Sequence, residues 1–162
     1  MIEVQLANLD DPAEQAATIE LLDMYCRDGF GSGSPLSEEA RANLIPGLQA
    51  HGGAKVFLAW EGELAVGLAI CFVGFSSFQG KPLINIHDIA VRPESRGRGI
   101  GRALLAAIDQ EATRLGCCKV TLEVRSDNHR AQALYASQGF ESSRPETWFW
   151  TKRVSQSQVP MN

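Results

Sequence analysis

The stretch from Ile84 to Leu105, INIHDIAVRPESRGRGIGRALL, constrains the fold of this 162-residue chain more than any other. It begins with an apolar strand pattern that Pro93 ends, because proline cannot donate a hydrogen bond to a strand ladder. A glycine-rich turn follows, and apolar residues then recur at helical spacing. A strand, a glycine turn and a helix start aim free N–H groups and the positive end of a helix dipole at one point. The stretch therefore predicts a site for a phosphate-bearing ligand.

The charge around this turn is opposite in sign to that of the whole chain. Although the net charge is −4, four arginines crowd the turn: Arg92, Arg96, Arg98 and Arg102. The spacing argues against a P-loop, because Arg102 and Ala103 stand where Lys and then Ser or Thr are needed. It also argues against a dinucleotide fingerprint, whose third glycine would replace Arg102. Another kind of anionic ligand is favoured.

The pattern Arg96-x-x-Gly99-x-Gly101, after a strand ending at Val91, resembles the coenzyme A signature of the GCN5-related N-acetyltransferases, the GNAT family. A second motif runs from Ser126 to Tyr135, SDNHRAQALY. Ser126, Asp127 or Asn128 can cap a helix there, and Gly139 marks its end. On that helix one face carries three residues: Asn128, Ala131 and Tyr135. Two motifs in this order support the resemblance, which covers roughly residues 56–140.

The resemblance implies acetyl-CoA as co-substrate and assigns residues to its parts. The backbone of Ile89, Ala90 and Val91 would pair with the pantetheine arm, which Asn128 and Ala131 would also contact. Tyr135 would sit near the thioester sulfur and donate the proton to the departing thiolate. The pyrophosphate would be held by one continuous run: Arg96, Gly97, Arg98, Gly99, Ile100, Gly101 and Arg102.

The sequence offers two neighbouring residues as candidates for the general base. His87 and Asp88 are adjacent on the central strand, so strand alternation predicts that they face opposite sides of the sheet. Residues 75–91 are similar to the diamine (spermidine/spermine-type) branch, in which a Glu stands at the place of His87. His87 is therefore either a substitute base or a structural histidine, and Glu123 is a weaker candidate. No histidine and carboxylate cluster has metal-ligand spacing, so no metal is expected.

The predicted elements give a mixed α/β sheet of the GNAT type, in the order β-α-α-β-β-β-α-β-α-β-β, with a splayed central strand pair. The last two strands are predicted at 140–142 and 147–152. The first two helices and their glycine-rich linker would wall the acceptor pocket, where Asp23, Asp28, Glu38 and Glu39 are candidates to attract a cationic amine. One N-acetyltransferase domain is expected over 1–153, followed by a polar tail over 154–162.

Composition limits the class of protein. Hydrophobic residues make up 44% of the chain and charged residues 21%, which is typical of a globular domain. We expect no secretory signal, membrane span or nucleic-acid partner, because the start lacks a basic region, apolar runs are short and the charge is negative. The four cysteines form no CxxC pair, which favours reduced thiols in a cytoplasmic protein.

Two functions follow from these expectations. The first is an acetyl-CoA-dependent N-acetyltransferase acting on a primary amine of a small molecule, diamine or amino-acid-like, or on a protein amine. The alternative is a noncatalytic CoA-binding module of the same fold. Homodimers are common in the family, and Trp148, Phe149 and Trp150 could serve an interface. Alternation of these three residues makes core packing on one side the simpler interpretation.

Overall fold

The computed structural model describes residues 1–143 and 145–154. Within them the chain forms five strands, four α-helices and one short 3₁₀ turn, Pro93–Ser95. The strands are β1 (Ile2–Leu6), β2 (Ala54–Glu61), β3 (Leu64–Ser76), β4 (Lys81–Val91) and β5 (Val120–Leu122). The helices are α1 (Pro12–Arg27), α2 (Glu38–Ala50), α3 (Ile100–Arg114) and α4 (His129–Ser137).

Local sequence signals account for the helix ends. The Asp11 carboxylate accepts the N–H of Ala13 and caps α1, whose first residue is Pro12. Ser37 caps α2 in the same way. At the far end of α4, Gly139 has a φ of 84°, and the N–H of Phe140 returns to the carbonyl of Tyr135 at 3.1 Å. These starts and stops agree with the expected ones to within about two residues.

The strands form one mixed sheet in the order β1-β2-β3-β4-β5. The first four strands are antiparallel neighbours, and β5 is parallel to β4. Helix α3 packs on one face, which we call the α3 face, over a core that includes Phe57, Val66 and Ile84. Helices α1 and α2 cover the other, the α1 face, over Leu58, Leu68 and Ile70. The predicted mixed α/β sheet is confirmed.

The parallel pair β4 and β5 is joined over only three residues. Pairing runs from Ile84 with Val120 to Ile86 with Leu122, and β5 ends there. Residues 87–91 of β4 therefore have no partner strand on the β5 side, while they still pair with β3 on the other. The predicted splay of the central strands is present. It leaves a V-shaped opening in the sheet beside the glycine turn.

A β-bulge changes the predicted faces of β4. Asp88 lies opposite Ile70 whereas Ile86 lies opposite Cys71, so His87 is the extra residue. The His87 ring lies 5.6 Å from the ring of Phe72, which packs on the α1 face, and Asp88 faces the same way as Ile70. The prediction that His87 and Asp88 face opposite sides was wrong, because the bulge shifts the alternation by one residue.

The prediction for the C-terminal aromatic segment was also wrong. The described residues after α4 form no strand. Trp148, Phe149 and Trp150 are 75%, 79% and 87% exposed, so none of them packs in the core. In the described structure β5 leaves one edge of the sheet free, but the aromatic segment does not pair with it, since strand propensity alone does not fix where a segment lies. Most of the predicted polar tail lies outside the described residues.

Candidate active site

The turn between β4 and α3 presents a continuous run of free backbone donors. Gly97 and Gly99 have φ values of 81° and 83°, the left-handed region that glycine adopts without strain. Gly99 is the N-cap of α3, and Ala103 is the first residue whose N–H bonds back, to the Gly99 carbonyl at 3.0 Å. Within the described part of the chain, the N–H groups of residues 97–102 donate to no protein acceptor. This is a backbone nest suited to an anion.

The arginines around this nest differ in what they contact. Arg92 pairs with Glu20 of α1 and also donates to the carbonyl of Ala65. Arg98 forms a two-contact ion pair with Glu61 at the end of β2. Arg92 and Arg98 are therefore already paired with carboxylates, Glu20 and Glu61 respectively. Neither arginine lines the cleft described below.

Arg96 and Arg102 do line the cleft. The Arg96 Nε donates to the Val91 carbonyl at 3.1 Å, and its Nη2 lies 2.6 Å from the Asp28 carboxylate. Arg102 has no carboxylate within 4.0 Å among the residues that the structure describes. Of the four predicted arginines, Arg102 is therefore the one whose charge is not already neutralised by a neighbouring side chain.

A cleft of about 640 Å³ runs from this nest to the opening between the splayed strands. The residues on its walls come from α1, the end of β4, the start of α3, and α4. Most predicted cofactor residues are among them: Ile89, Ala90, Val91, Arg96, Gly97, Gly99, Ile100, Gly101, Arg102, Asn128, Ala131 and Tyr135. A long, thin ligand with an anionic end fits such a cleft.

Helix α4 closes the cleft opposite β4. The side chain of Asn128 caps this helix by accepting the N–H of Ala131 at 3.1 Å, and the same residue lines the cleft. Tyr135 is 8% exposed, and its ring lies 5.9 Å from that of Phe140. Burial, with a smaller contribution from Tyr25, raises the pKa of Tyr135 to about 12. The phenol is therefore a protonated donor at neutral pH.

A second cavity of about 140 Å³ adjoins the cleft on the β5 side. His87 and Glu123 line it, and Tyr135 lines both spaces. The phenol thus stands where the two meet. A group in the smaller cavity and the end of a ligand in the larger cleft would both lie beside it.

Asp88 lines neither space. It points to the α1 face, where burial raises its pKa and the neighbouring His87 opposes that shift. Among the predicted proton acceptors, His87 is at the cavity wall and Asp88 is behind it. The bulge that brings both residues to one face also makes them neighbours there.

The residues of this site that were not predicted from the sequence include Tyr25, Phe30 and Arg125. Tyr25 lies in the last turns of α1, and Phe30 follows it in the glycine-rich loop. Arg125 follows β5 and contacts the Phe30 ring. The only local signal is the position of two aromatic residues beside a flexible loop, which is too common to identify a site.

The carboxylates proposed to attract a cationic amine are largely engaged in other contacts. Asp23 binds Arg27 and Arg41 and accepts the N–H of Leu36 at 2.8 Å. Asp28 binds Arg96. Among the described residues, no group of three potential ligands is placed to hold a metal ion. Nor does any helix in those ranges combine the length and apolarity needed to cross a bilayer.

The model of the Acetyltransferase (GNAT) family matches residues 18–140 of this sequence, about three quarters of the chain. The chain belongs to the GNAT family. The matched range contains both the backbone nest and the α4 segment that carries Tyr135. All the residues that line the cleft of this GNAT protein therefore lie within the range that matches the family model.

Curated relatives of this GNAT chain include the thialysine N-epsilon-acetyltransferase of Bos taurus, 33% identical over 89 residues. That match spans 54% of this chain and 52% of the relative, so the chain spans about half of that protein. The uncharacterized N-acetyltransferase YhfO of Bacillus subtilis is 30% identical over 129 residues, 80% of this chain and 85% of the relative.

The fold is shared with solved acetyltransferase structures. One is AAC(6')-Iy in complex with the bisubstrate analog CoA-S-monomethyl-acetylneamine, with a TM-score of 0.76 and 19% identity. The superposition covers 95% of this chain and 99% of that one. At this identity the likeness concerns the fold alone.

Proposed function

We propose that this GNAT chain transfers the acetyl group of acetyl-CoA to a primary amine of a small molecule. The observation that carries the proposal is the run of unpaired N–H groups at residues 97–102, which opens into the same cleft as the buried Tyr135. An anion-binding nest and a protonated phenol that line one cleft suit a long thioester with a phosphate end. The relatives named as N-acetyltransferases support the same reaction.

The residues present fit such a co-substrate. The nest and Arg102 would hold its pyrophosphate, with Arg96 beside them. The unpaired side of β4 at residues 89–91 offers backbone groups to an extended arm lying in the opening. When bound, acetyl-CoA supplies the acyl group as a thioester.

The chain's own groups would handle the protons. Tyr135 holds a proton on its Oη and would donate it where the thiolate leaves. His87 lines the smaller cavity and would accept the proton of the amine, directly or through water, in preference to the enclosed Asp88. A backbone N–H of the splayed strand would polarise the carbonyl oxygen.

We place the acceptor in the smaller cavity, because Tyr135 lines both spaces and the larger cleft reaches the nest. We also propose a cytoplasmic location and a homodimer. They are supported by the four free cysteines and by the exposed Trp148, Phe149 and Trp150, respectively.

Calorimetry with CoA, followed by thiol release from acetyl-CoA across a panel of amines, tests the function. We expect CoA to bind and at least one primary amine to be acetylated. Binding of CoA without turnover on any amine would instead favour the noncatalytic module. Absence of CoA binding would reject both functions. A His87→Gln variant should lose more turnover than an Asp88→Asn variant.

A further inference from the structure

Six residues line both the larger cleft and the smaller cavity, and together they form the partition between the two spaces: Tyr25, Phe30, Ile89, Asn128, Ala131 and Tyr135. Tyr25 is on α1, Ile89 is on β4, and three others belong to α4 or its cap. Phe30 is the member of the partition that lies on a loop. Its side chain is 40% exposed, so it is a wall on one side and meets solvent on the other.

Phe30 is nevertheless held in place from both directions. Its N–H donates to Asp28 Oδ1 at 3.1 Å, and the other oxygen of Asp28 binds Arg96. The guanidinium carbon of Arg125 lies 5.5 Å from the centre of the Phe30 ring, within the range of a cation–π contact. Arg125 Nη1 also donates to the Gly29 carbonyl at 3.3 Å. The loop is thereby tied to the glycine turn at one end and to the β5–α4 connection at the other.

Arg125 acts on the partition as a support. Its Nε and Nη2 contact the carboxylate of Asp127 at 3.0 and 2.7 Å, so its charge is matched locally. With that carboxylate on one side and the Phe30 ring on the other, the guanidinium, which also lines the smaller cavity, fixes the position of the ring. The position of the ring is thus set by side chains and not by a regular element.

The space behind this ring is small. Its volume of about 140 Å³ is less than a quarter of the 640 Å³ of the larger cleft, which favours a compact amine. Removing the ring would widen this space toward the larger cleft, because Phe30 borders both. Most of the other walls would stay, since they belong to α1, β4, β5 and α4.

We infer that Phe30 is the residue that limits the size of the acceptor amine. The inference rests on the proposed function, since it takes the smaller cavity as the acceptor site. The ring admits a compact amine to Tyr135 and excludes a branched or aromatic one by steric overlap. Arg125 is the positioning residue that keeps the ring across the cavity.

The test compares kcat/KM for propylamine and for benzylamine in the full-length chain at saturating acetyl-CoA. In Phe30→Ala, the ratio of benzylamine to propylamine should rise about tenfold or more, because pocket contacts of this size discriminate by at least that factor. Phe30→Leu should give an intermediate rise and Phe30→Tyr little change. Arg125→Gln should also raise the ratio, since the ring then loses its cation–π contact with the guanidinium.

Phe78→Ala is the matched control. Phe78 is another phenylalanine on a loop, but it is fully exposed and lines neither space. The ratio in this variant should equal that of the wild type. The midpoint of urea unfolding should stay close to the wild-type value in the Phe30 variants, which a general loss of structure would not allow.

Binding of the same two amines to the CoA complex, measured by calorimetry, gives the ratio without turnover. An unchanged ratio in both Phe30→Ala and Phe30→Leu, by either measurement, overturns the inference while leaving the proposed function intact. A wild-type chain that binds CoA but acetylates no amine rejects the proposed function, and the binding ratio then still decides the role of Phe30.

Discussion

The Nη2 of Arg96 lies 2.6 Å from the Oδ2 of Asp28, which joins the glycine turn to the end of α1 by an ion pair across the mouth of the cleft. The hydrogen bond from Arg96 is the main cause that holds the pKa of Asp28 below its usual value, so the carboxylate is ionised at neutral pH. An anionic ligand at the nest must therefore share Arg96 with a resident anion.

Replacing Asp28 should strengthen CoA binding. Asp28→Asn removes a competing negative charge, and Arg96 stays oriented by its bond to the Val91 carbonyl. Solvent-exposed charges a few ångströms apart interact by ~1 kcal/mol at most, which is about fivefold in Kd. We expect calorimetry at low salt to show this gain, and the gain should shrink at high ionic strength.

Glu20→Gln is the control for that variant. It removes a second ion pair between α1 and the end of β4, with Arg92, but neither partner lines the cleft. The Kd for CoA should not change. An Asp28→Asn chain that binds CoA more weakly than wild type would show that the carboxylate organises Arg96 instead of competing for it.

Two arginines of the same turn should differ in their effect on CoA binding. Arg102 lines the cleft, whereas Arg98 is held against Glu61. Loss of a charge-assisted contact to phosphate costs ~1.5 kcal/mol, so Arg102→Gln should weaken CoA binding roughly tenfold. Arg98→Gln should weaken it by about twofold or less. Equal losses in calorimetry would mean that Arg98 leaves Glu61 when the ligand binds.

Gly99 is a turn residue whose substitution should be damaging. Its φ of 83° costs an alanine ~1–2 kcal/mol, and any relaxation would move the free N–H groups of the nest. Gly99→Ala should therefore lower both the free energy of unfolding and the affinity for CoA. Gly52→Ala, where an added Cβ meets nothing within 4 Å, should change neither by more than ~0.5 kcal/mol. Urea titration and calorimetry measure the two quantities.

The pKa of Tyr135, raised to about 12, has a consequence for the pH profile. A raised pKa favours the protonated phenol, so the proton needed by a general acid stays in place well above pH 10. The kcat should not fall between pH 8 and 10 through loss of this proton. Tyr135→Phe should lower kcat about a hundredfold at saturating acetyl-CoA, with the CoA Kd unchanged. A variant with full turnover would remove Tyr135 from the mechanism.

Asp23 should make folding sensitive to acid. Its pKa is lowered, first by the hydrogen bond from Arg27 and then by the Leu36 N–H. A carboxyl with a lowered folded-state pKa stabilises the fold fully above its unfolded value near 4, and this stabilisation is lost as pH falls through the folded value. The free energy of unfolding should therefore drop below about pH 4 less steeply in Asp23→Asn than in wild type. Denaturant titrations at pH 7, 4.5 and 3 check the slope.

The local devices of the site could be predicted because they depend on residues that are close in sequence. Gly99 needs no partner to adopt a positive φ. The bond by which Asn128 caps α4 reaches only three residues along the chain, to Ala131. The order of strands and helices follows in the same way, from periodicity and caps. The family resemblance then named the ligand.

Other features of the site depend on contacts between distant parts of the chain. The bulge at His87 exists because β4 has one more residue than β3 over the same ladder, which no pattern in β4 alone reveals. The C-terminal aromatic segment has a strand-like pattern but pairs with no strand in the described structure. Predictions from alternation failed at both places for this reason.

By itself, the sequence determined the strand, the glycine turn and the helix that make the anion nest, since backbone conformation there follows from local residue types. The tertiary structure alone decided which charges remain available to a ligand. It paired Arg98 with Glu61, Arg96 with Asp28 and Arg125 with the Phe30 loop. These partners lie tens of residues apart, and only the packing of α1, β2 and β5 around the sheet brings them within reach of one another.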